Sequence, residues 1–168
     1  MIEPSIALYG EAFKQAARIL ARMLEDTGAR YALLVDRKGF VLAHQESLWA
    51  PPPPDLDSIA TLVAGNAAAT RALAELLGEE HFAEILHQGK EQGLYVEEID
   101  DNAILVVIFD PSAPVGRIKI EGKKSAAALK KILAEAAADT AAERKKLGLD
   151  TEYRESAAAL LDDLFGEA

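Results

Sequence analysis

The chain has 168 residues, half of them apolar and 27% charged, which is enough to bury a core and argues against disorder. Eighteen Lys and Arg face 28 Asp and Glu, a formal charge of -10, so phosphate backbones and anionic lipid are repelled. Cysteine is absent, which excludes disulfides, thiolate metal sites and a Cys nucleophile. The opening Met-Ile-Glu-Pro-Ser carries no basic segment followed by an apolar core, and the longest apolar run, Ala103–Phe109, is too short to span a bilayer. A soluble, cytoplasmic protein that binds neither nucleic acid nor membrane is expected.

From about Leu8 to Thr27, Phe13, Ala17, Leu20 and Leu24 recur at helical spacing, with Gly28 as the stop. Two β-runs follow, Arg30–Asp36 and Phe40–Gln45, joined by the turn Asp36-Arg-Lys-Gly39. The loop Glu46–Asp55 carries Trp49 and four prolines, Pro51 to Pro54, which stiffen it as an extended spacer. Asp55 or Asp57 then caps a helix that Gly78 closes. Glu80–Leu86 reads as a short amphipathic piece. Three strand-like runs come next, Gly93–Glu98, Ala103–Asp110 and Val115–Ile120, the middle one apolar throughout and hence central. A long helix is expected over Lys123–Ala138, with Leu129, Ile132, Leu133 and Ala136 inward. Lys145–Gly148 reads as a linker to a last amphipathic helix bearing Tyr153, Ala157, Leu160, Leu161, Leu164 and Phe165. The order is α-β-β-α-β-β-β-α plus a detached helix, with a main domain at 1–146 and an appendage at 147–168. Short connections favour an antiparallel sheet with helices on its faces.

Catalytic signatures are weak. Gly116–Ser125 superficially resembles a phosphate-binding loop, but five residues separate Gly116 from Gly122 where such a loop has four. His81, Glu84 and His87 could share a helical face, yet without a further ligand a solvated edge is the better reading, and no metal or other cofactor is expected. Glu97, Glu98, Asp100 and Asp101 lack the alternating ligands of a calcium loop. None of the three histidines, the third being His44, has a nucleophile motif beside it. No catalytic site of its own is expected.

The helix opening at Leu56 is more informative. At 100° per residue Ile59, Leu62, Val63, Thr70, Leu73 and Leu77 fall on one side, with Asn66 in the same arc, and this side reads as the core face. Opposite lie Ala60, Thr61, Ala64, Ala67, Ala68, Arg71, Ala72 and Glu75. Alanine there suits a helix for its propensity alone. Small side chains also admit a second backbone, and Gly65, which costs helix stability, points to such close packing.

These elements in this order resemble the roadblock / dynein-light-chain family over about Leu8 to Ala138, and more narrowly Gly28–His44, the Pro-rich loop, Leu62–Thr70 and the tail segments Leu149–Glu155 and Ala159–Asp163 resemble its bacterial members. The resemblance implies a five-stranded antiparallel sheet with one helix on one face and two on the other, and a homodimer. It implies further that bacterial members bind a small Ras-like GTPase and stimulate GTP hydrolysis, setting cell polarity for gliding or twitching motility at a cell pole. Carried over by resemblance, Ala60, Ala64, Ala67, Ala68, Arg71 and Ala72 would meet the GTPase. Leu94, Tyr95, Val96 and Glu97 would form an edge-strand dimer seam. Tyr153, Leu160, Leu161, Leu164 and Phe165 would offer a second partner contact. The alternative within the family is a dimer that acts only as a scaffold or anchor.

Overall fold

A computed structural model describes residues 6–82 and 84–146 of the chain. The residues expected to form the C-terminal amphipathic helix lie outside them. Eight elements follow one another: α1 (Gly10–Thr27), β1 (Tyr31–Asp36), β2 (Val41–Glu46), α2 (Leu56–Leu77), β3 (Ile85–Gln88), β4 (Gly93–Glu98), β5 (Ala103–Phe109) and α3 (Val115–Lys146). The five strands make one antiparallel sheet in the order β2-β1-β5-β4-β3. Two compact units divide the chain, Met1–Leu133 and Ala134–Ala168, and the sheet belongs to the first.

The local signals act where the sequence places them. Gly28 and Gly78 end α1 and α2 with positive φ. Asp55 caps α2 by accepting from the Ser58 amide at 3.1 Å and the Ser58 hydroxyl at 2.6 Å, and these bonds hold its carboxyl below the usual range. In the β1–β2 turn, Gly39 sits at φ 92°, and a Cβ there would lie 2.7 Å from the Thr61 backbone, so only glycine lets the turn meet α2. The Tyr31 hydroxyl donates to the Pro51 carbonyl and ties down the start of the proline run. β5 is buried at every residue, as its apolar run requires of the central strand.

Partners across antiparallel strands share a face. One such row runs Leu33, Val106, Val96, Ile85, and it lies under α2 together with Tyr31, Val35, Ile104 and Ile108. The alternate row, Ala32, Val107, Tyr95, Leu86, faces the other way. There α1 lies along β1 and β2, and α3 crosses β4 at Gly122, where a Cβ would fall 2.4 Å from the Tyr95 ring. On α1 the buried stripe is Ala16, Leu20, Met23 and Leu24; Phe13, expected on it, is exposed.

Two elements differ from the expectation. Val115–Ile120 is the first turn and a half of α3, with Pro114 O accepting from Arg117 N at 3.0 Å and Ile118 N at 3.1 Å. Ile118, Gly122, Ser125, Ala126 and Leu129 are buried at helical spacing while Ile120 is exposed, so the apparent alternation of 115–120 is one face of a helix seen through a short window. The fifth strand is Ile85–Gln88, inside the segment expected to be a short helix.

Candidate functional site

The helix α2 shows two unlike faces, turned from those expected: of the expected core face Val63 is buried and Ile59 packs against the core, but the leucines are outside it. Ala60, Val63, Ala64 and Ala67 are buried on the sheet, and Ala74 is buried further along the helix. Leu62, Leu73, Leu76 and Leu77 point outward, exposed by 73, 55, 83 and 71%. The cause lies in the strands below. They present Tyr31, Leu33, Val35, Val96, Val106 and Ile108, which already fill much of the space between helix and sheet, and a close-packed interior leaves room above them for three alanines and Val63. Ala60, Ala64 and Ala67 are therefore spent inside the chain, which corrects their assignment to a partner. Gly65 is exposed and a Cβ there would meet nothing within 4 Å, so it marks no close contact in this chain. Asn66 is exposed as well, not buried in the core arc.

Of the residues expected at a partner surface, Ala68 and Ala72 remain exposed. They border a shallow cleft with Arg37, Ala64, Arg71, Glu75 and Asp101, between α2 and the two turns at one end of the sheet. Arg71 is engaged within the chain. Its Nη2 lies 3.2 Å from Glu98 Oε2 and 3.4 Å from Asp101 Oδ1. Glu98 also accepts from Arg37, Nη1 to Oε1 at 3.2 Å and Nη2 to Oε2 at 3.0 Å, and Arg37 Nη2 donates on to the Asp100 carbonyl at 3.0 Å. Burial pushes the Glu98 carboxyl up, but the bonds and charges of Arg37 and Arg71 outweigh it and hold it below the usual range. The expected acidic hairpin tip is thus partly neutralised by two arginines.

The expected seam Leu94–Glu97 belongs to β4, which is paired with β5 on one side and β3 on the other. Its backbone is committed on both edges, so strand addition there is ruled out; the free edges are β2 and β3. Tyr95 and Val96 are buried as well, while Leu94, Glu97 and Glu98 are half-buried. The Tyr95 hydroxyl donates to Glu97, and burial pushes both the tyrosine and that carboxyl up. Glu84 pairs with Lys119 and His87 lies on β3, so His81, Glu84 and His87 share no helical face. Among the described residues no group of three or more His, Cys, Asp or Glu could hold a metal ion. No helix among them is long and apolar enough to cross a membrane.

The feature that reasoning from sequence missed is thus a continuous surface, the outer leucines of α2 beside the edge strand β3. His87 of that strand reaches Asn66 of the helix, Nε2 to Oδ1 at 3.4 Å. The available signal was the pattern itself, since the leucine side of α2 is interrupted by Asn66 and Thr70 as an interior face seldom is.

A five-stranded antiparallel sheet in this order, with α2 alone on one face and α1 and α3 on the other, defines a roadblock-type domain. Residues 16–109 match the Roadblock/LC7 domain model, and the chain belongs to that family. Within it the chain is similar to solved structures of MglB. One, described as MglB with tetrameric arrangement, is 58% identical, with a TM-score of 0.78 over 80% of this chain and 99% of that one. The gliding protein MglB of Thermus thermophilus is also 58% identical, with a TM-score of 0.77 over the same shares. MglB of Myxococcus xanthus is 31% identical, with a TM-score of 0.70 over 78% of this chain and 96% of that one. Among curated proteins, none matches the sequence.

Proposed function

We propose that this chain is a GTPase-activating regulator that binds a small Ras-like GTPase of the MglA type, promotes GTP hydrolysis, and so controls cell polarity and motility. It acts as a homodimer and brings no catalytic site of its own. One observation supports this most directly: on a chain 58% identical to MglB, α2 holds four leucines in water instead of burying them. Their exposed area is roughly 500 Å² per copy, at the upper end of what a monomer tolerates and well toward the ~800 Å² that each partner gives a standard interface.

The occupant of that face is a second copy. The leucines adjoin β3, whose outward backbone groups invite strand addition, and a two-fold axis satisfies both sets at once. The seam then joins the leucines of α2 to β3, which replaces the expected Leu94–Glu97. The rim of exposed Ala68 and Ala72, with the half-buried Arg71, then remains for the GTPase, and the C-terminal stripe from Tyr153 to Phe165 is a second contact.

The ion pairs of Arg71 argue against an arginine finger. To reach a bound nucleotide its guanidinium would have to leave both Glu98 and Asp101. Activation then works by holding the GTPase's own groups in a hydrolysis-competent arrangement. Co-elution with the GTPase loaded with GTP or with GDP tests the partnership. Retention of the GTP form alone is expected, and equal passage of both forms through the column would sink it.

A further inference from the structure

The way Arg71 is held decides what it can bind. A guanidinium has five N–H donors in one plane, and each of its two forks of parallel donors includes Nη2. In Arg71 that atom is shared between two carboxylates of the chain, Glu98 Oε2 at 3.2 Å and Asp101 Oδ1 at 3.4 Å. Nε and Nη1 carry the other three donors, and no acceptor among the described residues meets them. No complete fork is left, so an incoming carboxylate or phosphate cannot be gripped by two bonds. It would also meet Glu98 and Asp101 as like charges.

Arg71 does not hold this pose alone. Arg37 grips Glu98 by both oxygens, Nη1 to Oε1 at 3.2 Å and Nη2 to Oε2 at 3.0 Å. Arg37 N donates to Asn102 O at 3.0 Å and its Nη2 to Asp100 O at 3.0 Å, which fastens the β1–β2 turn to the turn after β4. Its Nε is buried without a partner, a cost that an arginine free to swing into water would not bear. Arg37 is thus kept in place by the carboxylate and the turn it binds, and through them it keeps Arg71 bent off α2 and low against residues 98–101. Ala68 and Ala72 are exposed beside it on the same strip of the helix.

We propose, resting on the GTPase reading above, that Arg37 and Glu98 are positioning residues for the GTPase contact: they hold Arg71 so that its remaining donors take uncharged acceptors, main-chain carbonyls of a GTPase loop lying over Ala68 and Ala72. A carbonyl stands out little from its own backbone, so it comes within hydrogen-bond reach of a guanidinium lying this low only where the surface beneath is no taller than a methyl group. The two exposed alanines meet that need. The loop is then recognised by its path and not by its charge. A loop whose bulk keeps its backbone away leaves the three donors of Arg71 enclosed without acceptors, which weakens the wrong complex.

Single-turnover GTP hydrolysis titrated with the full-length chain reads half-saturation and maximal rate separately. Arg71→Ala is expected to raise the half-saturating concentration at least about fivefold, with a smaller effect on the maximal rate. Glu98→Gln keeps the shape and removes the charge. It is expected to raise half-saturation about threefold in the parent and not at all in the Arg71→Ala background, because it acts only through Arg71. Arg37→Lys keeps the charge but gives up the fork, and should repeat that pattern; it carries the same test if Glu98→Gln does not fold. The ratio of Arg71→Ala to parent should change less than about twofold between about 50 and 300 mM salt, as suits an uncharged acceptor. Tighter half-saturation with Glu98→Gln, which would free a fork for an acidic loop, overturns the carbonyl assignment. Equal weakening in both backgrounds makes the network a support of the fold alone and overturns the positioning role, and unchanged half-saturation in Arg71→Ala overturns the contact itself. A parent chain that neither binds nor accelerates the GTPase is a different result, since it overturns the GTPase reading on which the proposal rests.

Discussion

Leu73→Glu separates the two faces of α2. Leu73 is 55% exposed, so about 100 Å² of its surface awaits a partner, worth about 2.5 kcal/mol at ~25 cal/mol per Å². A two-fold interface counts this loss twice, giving about 5 kcal/mol, or more than a thousandfold in dissociation constant. The carboxylates add to it, since an unpaired charge would be enclosed in each half of the seam. Within one copy the replacement touches little of the core, because the helix meets the sheet through Ala60, Val63, Ala64 and Ala67. Sedimentation from nanomolar to high micromolar concentration should show a dimer for the parent and a monomer for the variant. Far-UV circular dichroism should be superimposable, and thermal stability should fall only by the share that dimerisation supplies through mass action. A variant that stays dimeric with less than tenfold weakening would refute the outward reading of the leucines. One that unfolds would restore them to the core.

Ala67→Leu tests the other face: it overfills the contact with the sheet and should cost about 1–3 kcal/mol in denaturant unfolding, whereas a partner-facing Ala67 would be neutral there. The acid limb of stability should follow Glu98, whose folded pKa is lowered, so its contribution is complete above the unpaired value of 4.5 and lost as pH falls through the folded value. Glu98→Gln should flatten the loss of thermal stability below pH 4.5 and lower the plateau above it. Glu97 has the opposite sign: its folded pKa is raised, so stability declines as pH climbs from 4.5 through the folded value, and Glu97→Gln should remove that decline. Arg71→Ala at saturating concentration should lower stimulated GTP turnover by less than about tenfold. A finger would be worth 10³–10⁵, and a loss of that size with binding retained would make Arg71 catalytic.

Caps and turns were legible because their signals are local. Asp55 with Ser58, Gly28, Gly78 and the turn at Gly39 each act within a few residues, and the unbroken apolar run of β5 needs no tertiary information to be read as central. The errors all concern surroundings. Four residues from Ile85 to Gln88 have too little period to show as a strand, and pairing with β4 alone makes them one. The start of α3 alternates over only six residues, with Ile120 exposed by its position on the helix and not by its chemistry. On α2 hydropathy chose the leucines as inner face, but the strand side chains beneath decide how much room remains, and they leave room for three alanines and Val63. The roles of Arg37 and Glu98 were likewise hidden, because a contact between residues 61 apart exists only once the turns at 37 and 98–101 meet.

The claim that this protein activates a GTPase is tested most directly by single-turnover hydrolysis. A Ras-like GTPase of the MglA type is preloaded with GTP, and phosphate release is followed with and without a saturating amount of the full-length chain. Stimulation of at least tenfold is expected for the parent protein, with most of it lost for Leu73→Glu, which dismantles the paired α2 platform. Binding of the GTP form without faster release would instead mark the chain as a scaffold and contradict the activating role.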